Sequence, residues 1–220
     1  MAASDDHAYR RAQMVEALRR AGVRDERVLA AMAAVPRHLF VPAAFKHQAY
    51  TEDVSVGIGA GQTISQPLVV ALMTQAARVS PDDRVLEVGT GSGYQAAVLA
   101  HMARFVCSVE RISALAREAK ARIDSLGLEN VSIKVMDGSL GCRAQAPYAA
   151  IVVTAGAPDV PAPLLDQLVD GGRLVVPVGS RTAQVIKVVE RRGPTSVVSE
   201  LRAAYFVPLV GLHGWEDEGS

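Results

Sequence analysis

The chain has 220 residues, half of them hydrophobic and 21% charged, with 23 basic and 23 acidic side chains that leave a formal charge of zero. This composition excludes a disordered or low-complexity chain, and the even charge balance counts against a protein that binds nucleic-acid backbones. Neither cysteine, Cys107 or Cys142, has metal-ligand or redox spacing, and no apolar run resembles a signal core or a membrane span, so a single cytoplasmic domain is expected.

An amphipathic helix is predicted over 4–21, with Ala8, Ala12, Val15 and Leu18 on its apolar face and Gly22 as its C-terminal cap. A second helix is expected over 25–34, capped by Asp25 and stopped by Pro36. His38 and His47 follow without a carboxylate or cysteine at ligand spacing, and are read as packed or solvated. The stretch 53–67, DVSVGIGAGQTISQP, reads as a flexible connection that either lies on the surface or covers a ligand. Pro67 suits the first position of a helix over 68–78, and residues 80–83 form a turn.

From there the pattern alternates. A strand over 84–88 runs into Gly89, Gly91 and Gly93 and then a helix over 94–100, the opening unit of a doubly wound fold. A strand over 105–109 ends at Glu110, with Cys107 as a small buried hydrophobe. A helix over 112–126 closes at Gly127, and a strand over 131–136 precedes Asp137 and Gly138. The very apolar 149–153 is a buried strand, 161–169 a helix, and 173–178 a strand entered through a turn at Gly171 and Gly172. The runs 184–191 and 196–207 have no helix between them and must pair as an antiparallel hairpin. The expectation is one α/β domain: helices and the glycine-rich connection over 1–79, a mostly parallel sheet over 80–183, and a closing hairpin over 184–211. The tail from 214 is expected to fray.

Glycines at this position let a backbone approach a ligand closely, and Gly91, Gly93 and Ala96 also fit a dinucleotide pattern. Glu110, at the end of the second strand, suits two ribose hydroxyls, which fits a nicotinamide dinucleotide or S-adenosylmethionine. Three features favour the second. Glu87 puts a carboxylate where a pyrophosphate would be repelled but an ammonium and a sulfonium are attracted. Asp137 is placed to meet an adenine amino group. A hairpin closing a parallel sheet is the methyltransferase variation on this fold.

With these residues in view, the chain resembles the bacterial protein-L-isoaspartate O-methyltransferases from about Met14 to Gly211. The resemblance rests on VPRHLFVPAAF (35–45), GQTISQP (61–67), LEVGTGSGYQAAVLA (86–100), DGSLG (137–141) and FVPLVG (206–211). It implies a class I S-adenosylmethionine-dependent methyltransferase fold with an N-terminal helical addition. It also implies methyl transfer to the α-carboxylate of L-isoaspartyl residues in damaged proteins and peptides, leading through a succinimide back to L-aspartyl. On this resemblance Ser65 belongs to the active site, and Gln62, Thr63, Ile64 and Ser65 line the cofactor. Glu87, Gly89, Gly91, Glu110, Asp137 and Gly138 match the remaining cofactor positions, and Pro208, Leu209 and Val210 lie beside the substrate. No metal, nucleic-acid or membrane partner is implied. The chain departs from the family pattern at Ala149, where Asp is usual.

The acceptor carboxylate is ionised at neutral pH, so no general base is required and none is evident. Ser65 is therefore read as a positioning residue under a cover formed by 57–67. The alternatives are a methyltransferase of another carboxylate and a protein that binds S-adenosylmethionine without turnover.

Overall fold

A computed structural model describes residues 2–217, with side chains from Asp6 onward. Helices α1 (Ala2–Arg20) and α2 (Glu26–Ala34) come first, followed by a small antiparallel hairpin of β1 (Val56–Gly59) and β2 (Gln62–Ile64), then α3 (Pro67–Ala77). The main sheet is built from β3 (Arg84–Val88), β4 (Phe105–Glu110), β5 (Val131–Val135), β6 (Tyr148–Val153), β7 (Leu168–Gly179), β8 (Gln184–Arg192) and β9 (Thr195–Ala204). Helices α4 (Tyr94–Ala100), α5 (Ser113–Ser125) and α6 (Ala162–Leu165) connect its parallel strands. Across the sheet the order is β5-β4-β3-β6-β7-β8-β9, parallel as far as β7 and antiparallel from β7 to β8 and from β8 to β9. The doubly wound sheet with its closing hairpin is thus as expected.

Strand residues alternate between two cores. Val85, Val106, Ala150 and Val152 face the layer containing α1 to α4, while Leu86, Val88, Cys107, Val109, Ile151 and Val153 face the other. Because both faces are covered, the central strands read as continuous apolar runs. Glu87 and Ser108 interrupt that pattern: they are register neighbours on β3 and β4, and both are wholly buried. Two fully buried polar side chains in the middle of a sheet require a reason in the site above them.

Four local expectations are corrected. The buried face of α1 carries Met14 and Leu18, with His7, Arg11 and Val15 partly covered, whereas Ala8 and Ala12 face solvent. The helix is rotated because His7 stacks on His38 (3.9 Å between ring centroids), whose Nδ1 lies 2.6 Å from the Tyr50 hydroxyl. The glycine-rich stretch is not an irregular loop but the β1–β2 hairpin, closed by Ala60 (φ 50°) and Gly61 (φ 67°), as a two-residue turn with two positive φ values requires. Val56 and Ile64 anchor it in the core.

The third correction concerns the expected helix over 161–169, which stops at Leu165. Leu168 pairs instead with Tyr148, and β7 continues through Gly171 and Gly172, where its register against β6 shifts before Arg173 pairs with Ala150. Arg191 makes this possible by donating to the carbonyls of Leu165, Asp166 and Leu168 at 3.5, 3.3 and 2.6 Å, which satisfies the orphan groups of the short helix. The fourth is the tail. Trp215 is docked, its backbone N–H on the Leu209 carbonyl (2.7 Å) and its indole N–H on that of Gly156 (3.0 Å). Residues 218–220 of the expected frayed tail lie outside the described residues. Among the described residues no helix is long and apolar enough to cross a membrane.

The His7–His38 contact makes one pH effect explicit. Burial, with His7, Lys46 and Arg11 nearby, pushes the His38 pKa down to about 4 from its usual 6.5. Below pH 6.5 the unfolded chain binds the proton first, so this contribution to stability is complete above 6.5 and is lost as pH falls toward 4. The melting temperature of the wild type should therefore drop more steeply from about pH 7 to about pH 5 than that of His38→Asn. Parallel melting curves for the two proteins would contradict this.

Candidate active site

A cavity opens at the carboxyl ends of β3, β4 and β6, where successive crossovers leave β3 in opposite directions. Its floor is the glycine turn. Gly89, Gly91 and Gly93 have φ values of 96°, 51° and 91°, and the N–H groups of Gly89 and Thr90 both donate to the Val109 carbonyl (2.8 and 3.2 Å), sewing the turn to β4.

Glu110 ends β4 with its carboxylate held on both sides. Oε2 accepts from the Gly91 N–H and Oε1 from the Ile112 N–H, each at 2.9 Å. This fixes the carboxylate at the cavity wall with lone pairs left over for hydroxyl donors. Glu87 lies deeper. Its Oε2 accepts the Ser108 hydroxyl, which is itself hydrogen-bonded to Thr90, while Oε1 is buried without a partner among the described residues. Burial drives the Glu87 pKa up to about 8; the Ser108 hydroxyl opposes the rise, the nearby Glu110 charge adds to it, and the Ala96 N–H opposes it least. An unpartnered oxygen of a buried carboxyl on a cavity wall is open to a ligand's donor.

Gly138 borders the cavity and allows close packing there, since a Cβ would come within 2.5 Å of Val88 Cγ1. Asp137, expected to meet an adenine amino group, is held by donors of the chain itself. Its Oδ1 accepts from the backbone and hydroxyl of Ser139 (2.9 and 2.7 Å), and its Oδ2 from the Leu212 N–H (2.8 Å). The carboxylate is thus turned to the chain's own backbone and fastens the C-terminal segment beside the site. Burial alone would raise its pKa, but these N–H and O–H donors outweigh burial and hold it below the usual value.

Gln62, Thr63, Ile64 and Ser65 come from β2 and its exit and form the opposite wall. The hairpin also reaches over the glycine turn, for Ile58 Cδ1 lies 3.4 Å from where a Gly91 Cβ would be. Pro208, Leu209 and Val210 line the cavity as well, because Val207 and Leu209 exchange backbone hydrogen bonds with Gly156 (2.8 Å each).

The sequence reading missed Thr154, which borders the cavity and donates through its hydroxyl to the carbonyls of Val88 and Gly89 (3.0 and 2.6 Å). Its signal was available, since it directly follows the fourth strand of the alternation, the position equivalent to Glu110. Val70, Met73 and Ile112 also contribute wall surface that no motif announced. Ala149, by contrast, sits at the amino end of β6, the far end of the strand from Thr154. Its departure from the family pattern is therefore remote from the cavity.

One buried carboxyl with an unpartnered oxygen, one carboxylate on a strand end, a glycine floor and apolar walls fit S-adenosylmethionine in its charged head, ribose and adenine parts. The fold and the site together define a class I S-adenosylmethionine-dependent methyltransferase.

The particular family follows from comparison with known proteins. Residues 9–214 match the sequence profile of protein-L-isoaspartate(D-aspartate) O-methyltransferase. A protein-L-isoaspartate O-methyltransferase of Methanoregula boonei is 52% identical over 196 residues, spanning 89% of this chain and 90% of the relative. One of Methanoculleus marisnigri is 50% identical over 212 residues, 96% of each chain. Among solved structures, a protein-L-isoaspartate O-methyltransferase superposes with a TM-score of 0.82 at 30% identity, covering 93% of this chain and 67% of the other. A putative one from Plasmodium falciparum in complex with S-adenosyl-L-homocysteine gives 0.77 at 25% identity, covering 89% and 95%. The chain belongs to the protein-L-isoaspartate(D-aspartate) O-methyltransferase family.

Proposed function

We propose that this chain methylates the α-carboxylate of L-isoaspartyl residues in proteins and peptides, with Ser65 orienting that carboxylate and Glu87, Glu110 and the glycine turn holding S-adenosylmethionine. The observation that carries this assignment of roles is the opposition, across one cavity, of the acidic strand ends and the 62–65 segment. The family match supports the reaction itself.

When bound, S-adenosylmethionine supplies a methyl group on a cationic sulfur. The unpartnered oxygen of Glu87 receives the cofactor's ammonium group, and Glu110 receives the ribose hydroxyls with the lone pairs its two N–H donors leave free. Gly91 and Gly138 allow close approach of the backbone. Ile64 and Met73 exclude water from the cavity. The acceptor carboxylate arrives ionised, so the protein's task is to orient it, and orientation can lower a barrier by up to ~7–11 kcal/mol. Ser65 does this with its hydroxyl. Pro208, Leu209 and Val210 contact the peptide that carries the acceptor. After release, the neighbouring backbone nitrogen attacks the methyl ester and expels methanol, and water opens the resulting succinimide to give L-aspartyl or L-isoaspartyl. The partners on this reading are damaged proteins of the cytoplasm, without nucleic acid or membrane.

Ser65→Ala should lower the turnover rate about a hundredfold, as loss of one positioned donor does, while the affinity for S-adenosyl-L-homocysteine changes little. An unchanged rate would remove Ser65 from the site. The reaction is tested with methyl-labelled S-adenosylmethionine and two peptides that differ only in an L-isoaspartyl or an L-aspartyl residue. Base-labile label on the isoaspartyl peptide alone is expected. Label on the aspartyl peptide would mean a different carboxylate substrate, and label on neither, with cofactor bound, would contradict turnover of these acceptors.

A further inference from the structure

Arg37 is 1% exposed, in a short 3₁₀ turn between α2 and β1. Its Nε donates to the Ala49 carbonyl and its Nη2 to the Ser65 carbonyl, each at 2.7 Å. Its guanidinium lies 4.5 Å from the centre of the Tyr94 ring. Ser65 and Tyr94 both line the cavity, so Arg37 stands one residue behind its wall. Nη1 is buried without a hydrogen-bond partner, the nearby Tyr94 hydroxyl gives the charge some support, and no carboxylate pairs with Arg37 among the described residues. Guanidinium stays protonated even when buried. A buried cation stripped of water and given no anion is costly, and two carbonyls and a ring offset only part of that cost.

The site has the complementary problem. Glu87 and Glu110 suit a cationic cofactor, but they repel an acceptor that is itself a carboxylate. Arg111 is the one cation among the residues lining the cavity, and Asp217 already pairs with it at 3.1 Å.

We infer that Arg37 is a positioning residue for methyl transfer, whose buried guanidinium, anchored on the Ser65 carbonyl, is the fixed countercharge toward which the acceptor carboxylate is drawn. This rests on the reading above that Ser65 lies on the acceptor side. Arg37 acts through the Ser65 peptide and the field behind it, without touching the substrate. Its stack on Tyr94, the first residue of α4, also holds the acceptor wall in register with the cofactor floor.

The test separates charge from scaffolding. An L-isoaspartyl peptide and its analogue with an α-carboxamide in place of the α-carboxylate are titrated into the full chain saturated with S-adenosyl-L-homocysteine. For Arg37→Met, which keeps much of the volume and loses the charge, affinity for the carboxylate peptide should fall about tenfold while affinity for the carboxamide stays within about twofold. Arg37→Lys, which keeps the charge but not the fork, should recover most of the discrimination. If both peptides weaken by the same factor, or if S-adenosyl-L-homocysteine affinity falls equally, Arg37 is a scaffold only and the inference is overturned. If Arg37→Met does not fold, Arg37→Gln, which can still donate to one carbonyl, takes its place under the same criteria. A failure of the reaction assignment would be visible separately, as absence of label on the isoaspartyl peptide with the wild-type protein.

Discussion

Glu87→Gln should make the cofactor-free protein more stable than the wild type at alkaline pH while weakening its hold on S-adenosylmethionine. The carboxyl is buried, its folded pKa is raised to about 8, and its ordinary value is 4.5. Between those two values the folded chain carries a proton that the unfolded chain has already lost. Wild-type stability therefore falls as pH rises from 4.5 through 8, at about 1.4 kcal/mol per pH unit from this group alone. Glutamine does not titrate, so the variant lacks that slope, and the two melting curves should separate with rising pH. Cofactor binding is the opposite case. A cationic ligand beside the orphaned Oε1 favours the ionised form, so binding near neutral pH should release a proton in the wild type and none in the variant. Loss of a charge-assisted hydrogen bond should weaken cofactor binding about tenfold to a hundredfold. Melts across pH, with calorimetric titrations in two buffers of different ionisation enthalpy, check all three expectations. Parallel melts and no difference in proton release would show that Glu87 is already ionised in the empty protein.

Gly89→Ala should be the most damaging single methyl in the site. Gly89 has φ of 96°, a region in which an L-residue is strained, and an added Cβ would stand 2.4 Å from Thr154 Oγ1. That hydroxyl ties β3 to β6 through the carbonyls of Val88 and Gly89, so it cannot swing aside without giving up both bonds. Backbone strain of ~1–2 kcal/mol and the loss of buried hydrogen bonds at ~1 kcal/mol or more each add to roughly 3 kcal/mol or beyond. Gly91→Ala is the control. Its φ is 51° and its nearest neighbour would be Ile58 Cδ1 at 3.4 Å, so it should keep the fold. A double variant, Gly89→Ala with Thr154→Ala, removes the clash and should be less damaging than the sum of its parts. Denaturant unfolding of the wild type, the three single variants Gly89→Ala, Gly91→Ala and Thr154→Ala, and the double variant decides the matter. Equal stability of Gly89→Ala and Gly91→Ala would mean that the Thr154 bridge is not the constraint.

Local chemistry made most of the scaffold and half of the site legible. Every strand of the main sheet was legible to within a few residues, apart from the start of β7: β3, β4 and β6 because a strand covered on both faces is apolar along its length, and β8 and β9 because no helix separates them. Glu87 announced itself by the same rule, as a charge inside such a strand. Glu110 was marked by its place at a strand end, where an open α/β sheet holds its ligands, while Gly138 came only through the family resemblance. Those features depend on residues near one another in the chain, or on a repeat that any sheet of this class obeys.

Contacts between distant segments decided the rest. One oxygen of the Asp137 carboxylate is held by Leu212, 75 positions away, whose N–H donates to it. The buried face of α1 was set by His38, and the early stop of α6 by Arg191. Nothing local in the sequence distinguishes Arg37 from the chain's other arginines. Its burial, its bond to Ser65 and its lack of an anion exist only once the 37–50 segment has been laid against β2 and α4. Period and turn chemistry are short-range and can be read from neighbouring residues. The partner of a buried charge is fixed by which surfaces the folded chain brings together, and no spacing along the sequence encodes that.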